Sequence, residues 1–358
     1  MRSMRFSRRS LATLLTLIST AALAGCGGGG GGTGGQGLPG PTPPRIVALL
    51  SGAGGAGLNE RTSNALAINA SGAATGGYTN ASNQPRGFVY SNGAVSDLGT
   101  LGGSSAFGLG INSSGSVVGS SQNATGQVRA FAYINGAMSA LTTPAGMGSR
   151  ADAINDNGLI VGSTLDTDVL DAVTWQGGTM TTLAKPAGFA RAAATGVNNQ
   201  GQVVGEAHQT GSTNFQAARW VSGVPTLLGF FPGGNVSFAR SINESGNVVG
   251  FGRTSAGARH AFLWTPVGGM ADLGTLGGPG SAAYDINSNG VIVGSADNTN
   301  GEPRAFVYSN GVMTDLNALL SAGDGWVLEF ATGINDQGQV VGWGQNNGQL
   351  RAFLLNTQ

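Results

Sequence analysis

The sequence predicts an all-β fold: a seven-bladed β-propeller of four-stranded antiparallel blades, closed by an N-terminal strand that completes the last blade. Three observations predict it. A short motif recurs at a near-constant interval. Each interval holds strand and turn residues and no helix-forming run. The last interval lacks one strand, which the N-terminus can supply.

The motif stands at Ile154-Asn-Asp-Asn-Gly-Leu-Ile-Val-Gly162: an apolar residue, Asn, a tight turn closed by Gly, two β-branched residues and another Gly. Its anchor Asn returns at Asn69, Asn112, Asn155, Asn198, Asn243, Asn287 and Asn335, at intervals of 43, 43, 43, 45, 44 and 48. Periods of this size belong to propeller blades or to helical arrays. The Gly, Val, Ile and Thr content and the Asn-Gly and Ser-Gly turns reject the helical arrays. An elongated β-solenoid is the alternative fold.

One unit reads off residues 283–321. Ala283–Asn287 is a first strand and Ser288-Asn-Gly290 a tight turn, where Asn and Gly accept positive φ. Val291–Ser295 is a second strand, followed by a polar loop from Ala296 to Pro303. Arg304–Tyr308 alternates polar and apolar residues as a third strand, Ser309-Asn-Gly311 turns the chain, and Val312–Leu316 is a fourth strand. Ala65, Gly108, Ala151, Ala194, Ala239, Ala283 and Ala331 stand three residues before the anchor Ile or Val. One side of the first strand is therefore small, as crowded strands near a central axis require. A generic Gly-rich edge strand is the plainer alternative.

Ring closure is expected from the two ends. After Asn335 the chain supplies a second strand at Val340-Val-Gly342 and a third at Arg351-Ala-Phe353, then ends. Val47–Gly55 aligns without a gap on Val95–Gly103, which holds the fourth strand of the first unit and the Gly-rich connector after it. Residues near Ile46 to Ser51 are expected to pair with Arg351 to Leu355. Closure removes two open strand edges.

The N-terminus reads as a targeting segment, residues 1–25. Arg2, Arg5, Arg8 and Arg9 precede an apolar stretch from Leu11 to Leu23, too short for a comfortable membrane span. Leu23-Ala-Gly-Cys26 resembles a bacterial lipobox, which implies lipidation of Cys26 and a membrane anchor. An ordinary signal peptide with an incidental Cys is the other reading. Ser7-Arg-Arg-Ser-Leu11 is loosely similar to a twin-arginine export signal. Cys26 is the only Cys in the sequence, so no internal disulfide can form. Residues 26–44 are a Gly- and Pro-rich tether, and the repeat domain is expected over 45–358.

Charged residues make up 9% of the chain, low for a soluble domain. Four of the seventeen Lys and Arg precede Cys26, leaving thirteen cations against seventeen anions. With no basic stripe, nucleic acid is not an expected partner. A surface of Asn, Ser, Thr and Gln suits an exported β-protein and hydrogen bonding to sugars.

His260-Ala-Phe-Leu-Trp264, with Asp97–Gly103 and Asp272–Gly278 both reading Asp-Leu-Gly-Thr-Leu-Gly-Gly, resembles the HAF-repeat family of predicted extracellular bacterial proteins. The resemblance covers Arg45 to Gln358. It implies an exported repeat protein of unassigned chemistry. The chain departs from the family pattern in having His once, with Arg86, Arg129, Asp171, Gln216, Arg304 and Arg351 in that slot elsewhere.

Local chemistry is sparse. His208 and His260 lie in different units, and no metal-ligand cluster or Ser-His-Asp set assembles. Asp166, Asp168 and Asp171 form the densest carboxylate group. They are a conceivable calcium loop but lack the Gly and terminal Glu of a helix-loop-helix site, so a solvated loop with no cofactor is expected. Carboxylates converging from distant blades would suit a glycosidase, though nothing local suggests them. Arg86 with Asp97, and Arg304 with Asp315, are placed to pair across one hairpin. Tyr90, Tyr133, Trp175, Trp220, Trp264 and Tyr308 recur in one slot and are expected to pack between blades.

The short 1–2 and 3–4 turns share one face, and the longer 2–3 and 4–1 loops share the other. Function is expected on that variable face. Phe230, Phe231, Asp324 and Trp326 are its candidate ligand-binding residues; the alternative for each aromatic is that it tucks under its own loop. The expectation is a lipid-anchored module of the cell envelope, at the outer membrane or cell surface, that binds glycan or protein. An envelope polysaccharide hydrolase or lyase and a passive surface structural protein are the alternatives.

Overall fold

In the computed structural model, residues 46–50, 58, 60–166, 170–211 and 214–357 are described. They form seven four-stranded antiparallel sheets, a β-propeller. Blade one is Thr62–Ile68, Ala74–Thr79, Pro85–Ser91 and Ala94–Asp97, paired in chain order. Blades two to six are built in the same order over 102–140, 148–182, 189–227, 237–272 and 277–315. The strands of blade six are Gly277–Ile286, Ile292–Asn298, Pro303–Ser309 and Val312–Asp315, close to expectation, with a 3-10 turn at Leu316–Leu319 after the last.

The motif glycine explains the blade interior. In every blade the first strand carries a bulge three residues before its anchor Asn, as between Ala151 and Ala153. A Cβ at Gly76, Gly119, Gly162, Gly205, Gly250, Gly294 or Gly342 would lie 1.9–2.1 Å from a carbonyl oxygen of that strand. Only Gly lets the second strand come this close. Directly across the next strand pair, those glycines face Phe88, Phe131, Val173, Ala218, Phe262, Phe306 and Phe353. The five Phe rings are fully buried, each contributing roughly 2–3 kcal/mol of apolar burial. Blades three and four lack that ring. There Trp175 and Trp220, each 1% exposed, fill the space and donate from Nε1 to the carbonyls of Thr142 and Ala184 in the preceding connection.

The anchor Asn closes both the turn and the ring. Its Oδ1 accepts the N–H four residues on in every blade, and at Asn69, Asn155 and Asn243 also the N–H two residues on, as from Leu159 (2.9 Å) and Asn157 (3.1 Å) at Asn155. Its Nδ2 donates sideways to the backbone carbonyl of the next anchor. The series runs Asn69 to Asn112, Asn155, Asn198, Asn243, Asn287 and Asn335, and Asn335 returns to Asn69 at 3.1 Å. All seven are 3–6% exposed. Seven side-chain bonds thus form an unbroken circle around the axis.

The seventh blade is built from both ends of the chain. Trp326–Ile334, Gln339–Asn346 and Gln349–Asn356 are joined by Ile46–Ala48, which pairs Ile46 with Leu355, Val47 with Leu354 and Ala48 with Phe353. The register differs by one residue from the gapless alignment. Leu49, not Leu50, takes the place of Leu98. Its N–H reaches the Ala352 carbonyl at 3.0 Å, as that of Leu98 reaches Gly87, and both side chains are buried. Packing selects this register, because it sets Leu49 against Ala65 and Phe88 of blade one. Gly54 and Gly55, on which the alignment also leaned, lie outside the described residues.

Candidate functional site

The two faces of the ring differ in how their polar groups are engaged. On the short-turn face the axis opens into a pocket of about 260 Å3, lined by six of the seven anchor Asn residues and by the Ile or Val before each of the seven. Asp156, Glu244 and Asp336 stand on its rim. Asp156 accepts from the Ser113 N–H at 2.8 Å and the Asn199 amide at 3.1 Å, Glu244 from the Asn199 N–H, and Asp336 from the Ser288 N–H. Burial pushes the Asp156 carboxyl up, but these hydrogen bonds more than offset it and hold the group below its ordinary value. The rim carboxylates therefore tie neighbouring turns together. In the sequence Asp156 and Asp336 stand inside the Asn-x-x-Gly turns, a position that turn geometry alone would account for.

Ionic groups also line the interior near the axis. Asp152, at the bulge of blade three, pairs with Arg150 at 2.8 Å. Burial raises its pKa despite that partner. Asp285 sits between blades. It accepts from the Ser241 hydroxyl (2.7 Å) and the N–H groups of Ile286 and Ile334 (both 2.9 Å). Burial nevertheless pushes its pKa up to about 6.

The residues singled out on the variable face fall into different environments. Phe231 is 5% exposed and packs with Leu228 and Phe262. The connector Leu228-Gly-Phe-Phe-Pro-Gly-Gly234 shares the pattern of Asp-Leu-Gly-Thr-Leu-Gly-Gly, and Phe231 takes the slot of its second Leu. It is therefore a packing residue, while Phe230 beside it is 36% exposed. Trp326 is half-buried, its ring 6.0 Å from that of Phe353. Asp324 is exposed and accepts from the Ser321 N–H at 3.1 Å. Asp171 is paired with Lys185 at 2.5 Å and Asp166 is exposed. Asp168 and Cys26 lie outside the described residues.

The cross-strand pairs form in part. Arg86 meets Asp97 at 2.9 Å, and Tyr78 donates to the same carboxylate at 2.5 Å. His260 reaches Asp272 at 2.7 Å, filling the Arg position. Arg304 instead pairs with Glu302 at 2.6 Å. Asp315 is not available to it, because its carboxylate caps the 3-10 turn through the Asn317 N–H at 2.9 Å.

The variable face also carries a cleft of about 490 Å3 between blades four and five, lined by Phe215, Asn235, Phe251, Arg253 and Arg259 among others. Phe238 stacks on Phe251, with ring centroids 5.2 Å apart and planes at 4°. Arg240 lies 4.5 Å from the Phe238 centroid and Arg259 5.6 Å from that of Phe251. Phe215 meets Phe238 edge-on at 6.0 Å. Sequence reasoning missed this site, since its residues come from regular strand ends and not from an insertion.

No protein-family model matches the chain, and no curated protein matches it. Solved structures do. The β-propeller domain of the Trilobed protease from Pyrococcus furiosus matches with a TM-score of 0.57 at 11% identity, covering 84% of this chain and 95% of that one. YCF48 bound to D1 peptide matches with a TM-score of 0.51 at 11% identity, covering 88% and 97%. Pyrococcus horikoshii acylaminoacyl peptidase matches with a TM-score of 0.50 at 12% identity, covering 81% of this chain but 52% of that one. The first is described as having an open velcro topology, whereas the ring here is fastened by Ile46–Ala48. At such identities the likeness shows one thing, the propeller fold.

Proposed function

We propose that this chain is a binding module of the bacterial cell envelope, exported and lipid-anchored at Cys26, that engages glycan or protein through its variable-loop face. The observation that carries the reading is the contrast between the faces. Rim carboxylates and anchor amides of the short-turn face are occupied by bonds between blades. The variable face holds an open cleft with two exposed arginines and half-buried aromatic rings. Concave sites that combine aromatic walls with a few polar groups are where ligands bind. A propeller of similar shape is described as bound to a peptide, which supports the protein half of the reading. The similarity of His260–Trp264 to HAF repeats, and of Leu23–Cys26 to a lipobox, supports export and anchoring.

The test uses purified protein carrying Cys26→Ser, presented to a glycan array and to solubilised envelope fractions. Asn235→Ala, in the cleft, and Phe230→Ala, in the connector that leads to it, are expected to weaken what is captured. Val267→Ser, on a fully exposed short turn, is expected to change nothing. Capture that survives the first two variants and fails with the third would move the site to the other face and sink the proposal.

A further inference from the structure

We infer that the cleft between blades four and five binds an acidic saccharide, its oxyanion held by Arg253 and Arg259 and a sugar ring lying against Phe215. The inference rests on the reading of the variable face as the binding face, and narrows it to one site and one ligand class.

Arg253 and Arg259 are register partners across the second and third strands of blade five. Like charges placed directly opposite each other on a sheet repel. The same position in other blades holds Thr79 with Pro85, Gln122 with Val128, His208 with Phe215, Asp297 with Pro303 and Gln345 with Leu350. Among these described pairs, blade five alone opposes two cations. Among the described residues, neither arginine forms an ion pair. Arg253 donates to the Gly257 carbonyl at 3.0 Å, and Arg259 leans over Phe251.

A third cation lies behind them. Arg240 covers the inner face of the stacked Phe238–Phe251 pair, and its Nε has no hydrogen-bond partner among the described residues. An outward column therefore runs Arg240, Phe238, Phe251, Arg259. The inner guanidinium lies in the field of the Glu206 and Asp152 carboxylates, whereas the outer two, Arg253 and Arg259, form no ion pair among the described residues. In a chain with thirteen cations against seventeen anions after Cys26, that outer pair is a local positive site without a counter-ion. Paired guanidinium forks match the oxygens of a carboxylate or sulfate.

The remaining walls select for a sugar. Asn235 offers an exposed amide that both donates and accepts, as hydroxyl recognition needs. Phe215 meets Phe238 edge-on and supplies an apolar wall. The cleft volume is within the roughly 300–1,000 Å3 of small-ligand sites. An extended peptide would add to a free strand edge. Here the strands framing the cleft, Phe215–Val221 and Val248–Arg253, are each already paired on both sides.

The test is calorimetric titration of the Cys26→Ser protein with three probes: a galacturonate oligomer, its carboxyl-reduced neutral counterpart and a sulfated oligosaccharide of the same length. At least one acidic probe is expected to bind about tenfold tighter than the neutral one. Its affinity should fall as NaCl rises, and by about tenfold in Arg253→Gln and in Arg259→Gln. Which acid binds identifies the oxyanion. Both arginines are exposed, so the variants should melt as the parent does, and Arg253→Lys, which keeps the charge but loses the fork, should fall between. Equal binding of neutral and acidic probes would overturn the inference, as would affinity untouched by both Gln variants or no binding of either acid at about 10 mM. If the acids fail while envelope ligands are still captured at the variable face, the inference falls and the broader reading stands.

Discussion

Replacing Asn155 by Ala probes the circle of anchor residues that holds neighbouring blades together. The change removes three bonds at a site 5% exposed: the donation to the Asn198 carbonyl at 2.9 Å and the acceptances from Asn157 and Leu159. A buried hydrogen bond contributes about 0.5–1.5 kcal/mol net, so the loss should be roughly 3 kcal/mol. Asn123 is the internal control. Its Oδ1 accepts the N–H groups of Thr125 and Gln127 in the same turn geometry, and the Thr125 hydroxyl, but it is only half-buried and makes no bond to another blade among the described residues. Asn123→Ala should therefore cost about 1 kcal/mol or less. The assay is equilibrium unfolding in denaturant, comparing midpoints at equal slope. Asn155→Asp is informative too, since it keeps the acceptors and sets a carboxylate against the Asn198 carbonyl. It should lose stability where a turn-only role would leave it near the parent. Equal losses for Asn155→Ala and Asn123→Ala would refute the lateral circle as a source of stability.

Three further outcomes are expected. Cys26→Ser should move the protein from the membrane pellet to the soluble fraction or leave it unprocessed. A variant that is processed normally and still pellets in high salt would contradict the lipid anchor. Asp285 keeps its proton up to about pH 6 when folded but releases it near 4 when unfolded, so its contribution to stability is greatest at low pH and declines as pH rises through that window. The stability difference between the parent and Asp285→Ala should shrink by about 2–3 kcal/mol from pH 4 to pH 7, and a constant difference would contradict the shift. Millimolar Ca2+ or a chelator should leave the melting temperature unchanged if Asp166, Asp168 and Asp171 are only a loop; a calcium-dependent rise abolished by Asp168→Ala would overturn that.

The blade was legible because its signals are local. Asn-Gly turns, the alternation of Arg304–Tyr308 and the glycine of each second strand all act within a few residues. Closure was legible as well, but its register was not. The alignment of Val47 on Val95 rested on one Val, one Leu and the final Gly pair, whereas the observed pairing is selected by burial of Leu49 against blade one, a contact between distant segments. The lateral role of Asn155 was hidden for a related reason. Its partner is a backbone carbonyl 43 residues away, and a carbonyl leaves no side-chain signature. For Phe231 the sequence left binding and burial under its own loop both open, and burial is what the structure shows; aligning its connector with Asp97–Gly103 points the same way, since that slot belongs to a packed Leu. Arg253 and Arg259 were passed over because each is an ordinary strand-end residue, and only the register makes them opposed.

The central structural claim is a ring fastened by pairing of the two chain ends, and native-state hydrogen exchange of the C-terminal strand Gln349–Asn356 tests it most directly. Its residues Phe353–Leu355 lie inside the sheet, between Gln339–Asn346 and Ile46–Ala48. The amides of that stretch facing Ile46–Ala48 should exchange as slowly as those of Gln339–Asn346, through global unfolding. Exchange as fast as in an outer strand such as Thr179–Thr182, which has a partner on one side, would mean that the ring is open and the account is wrong.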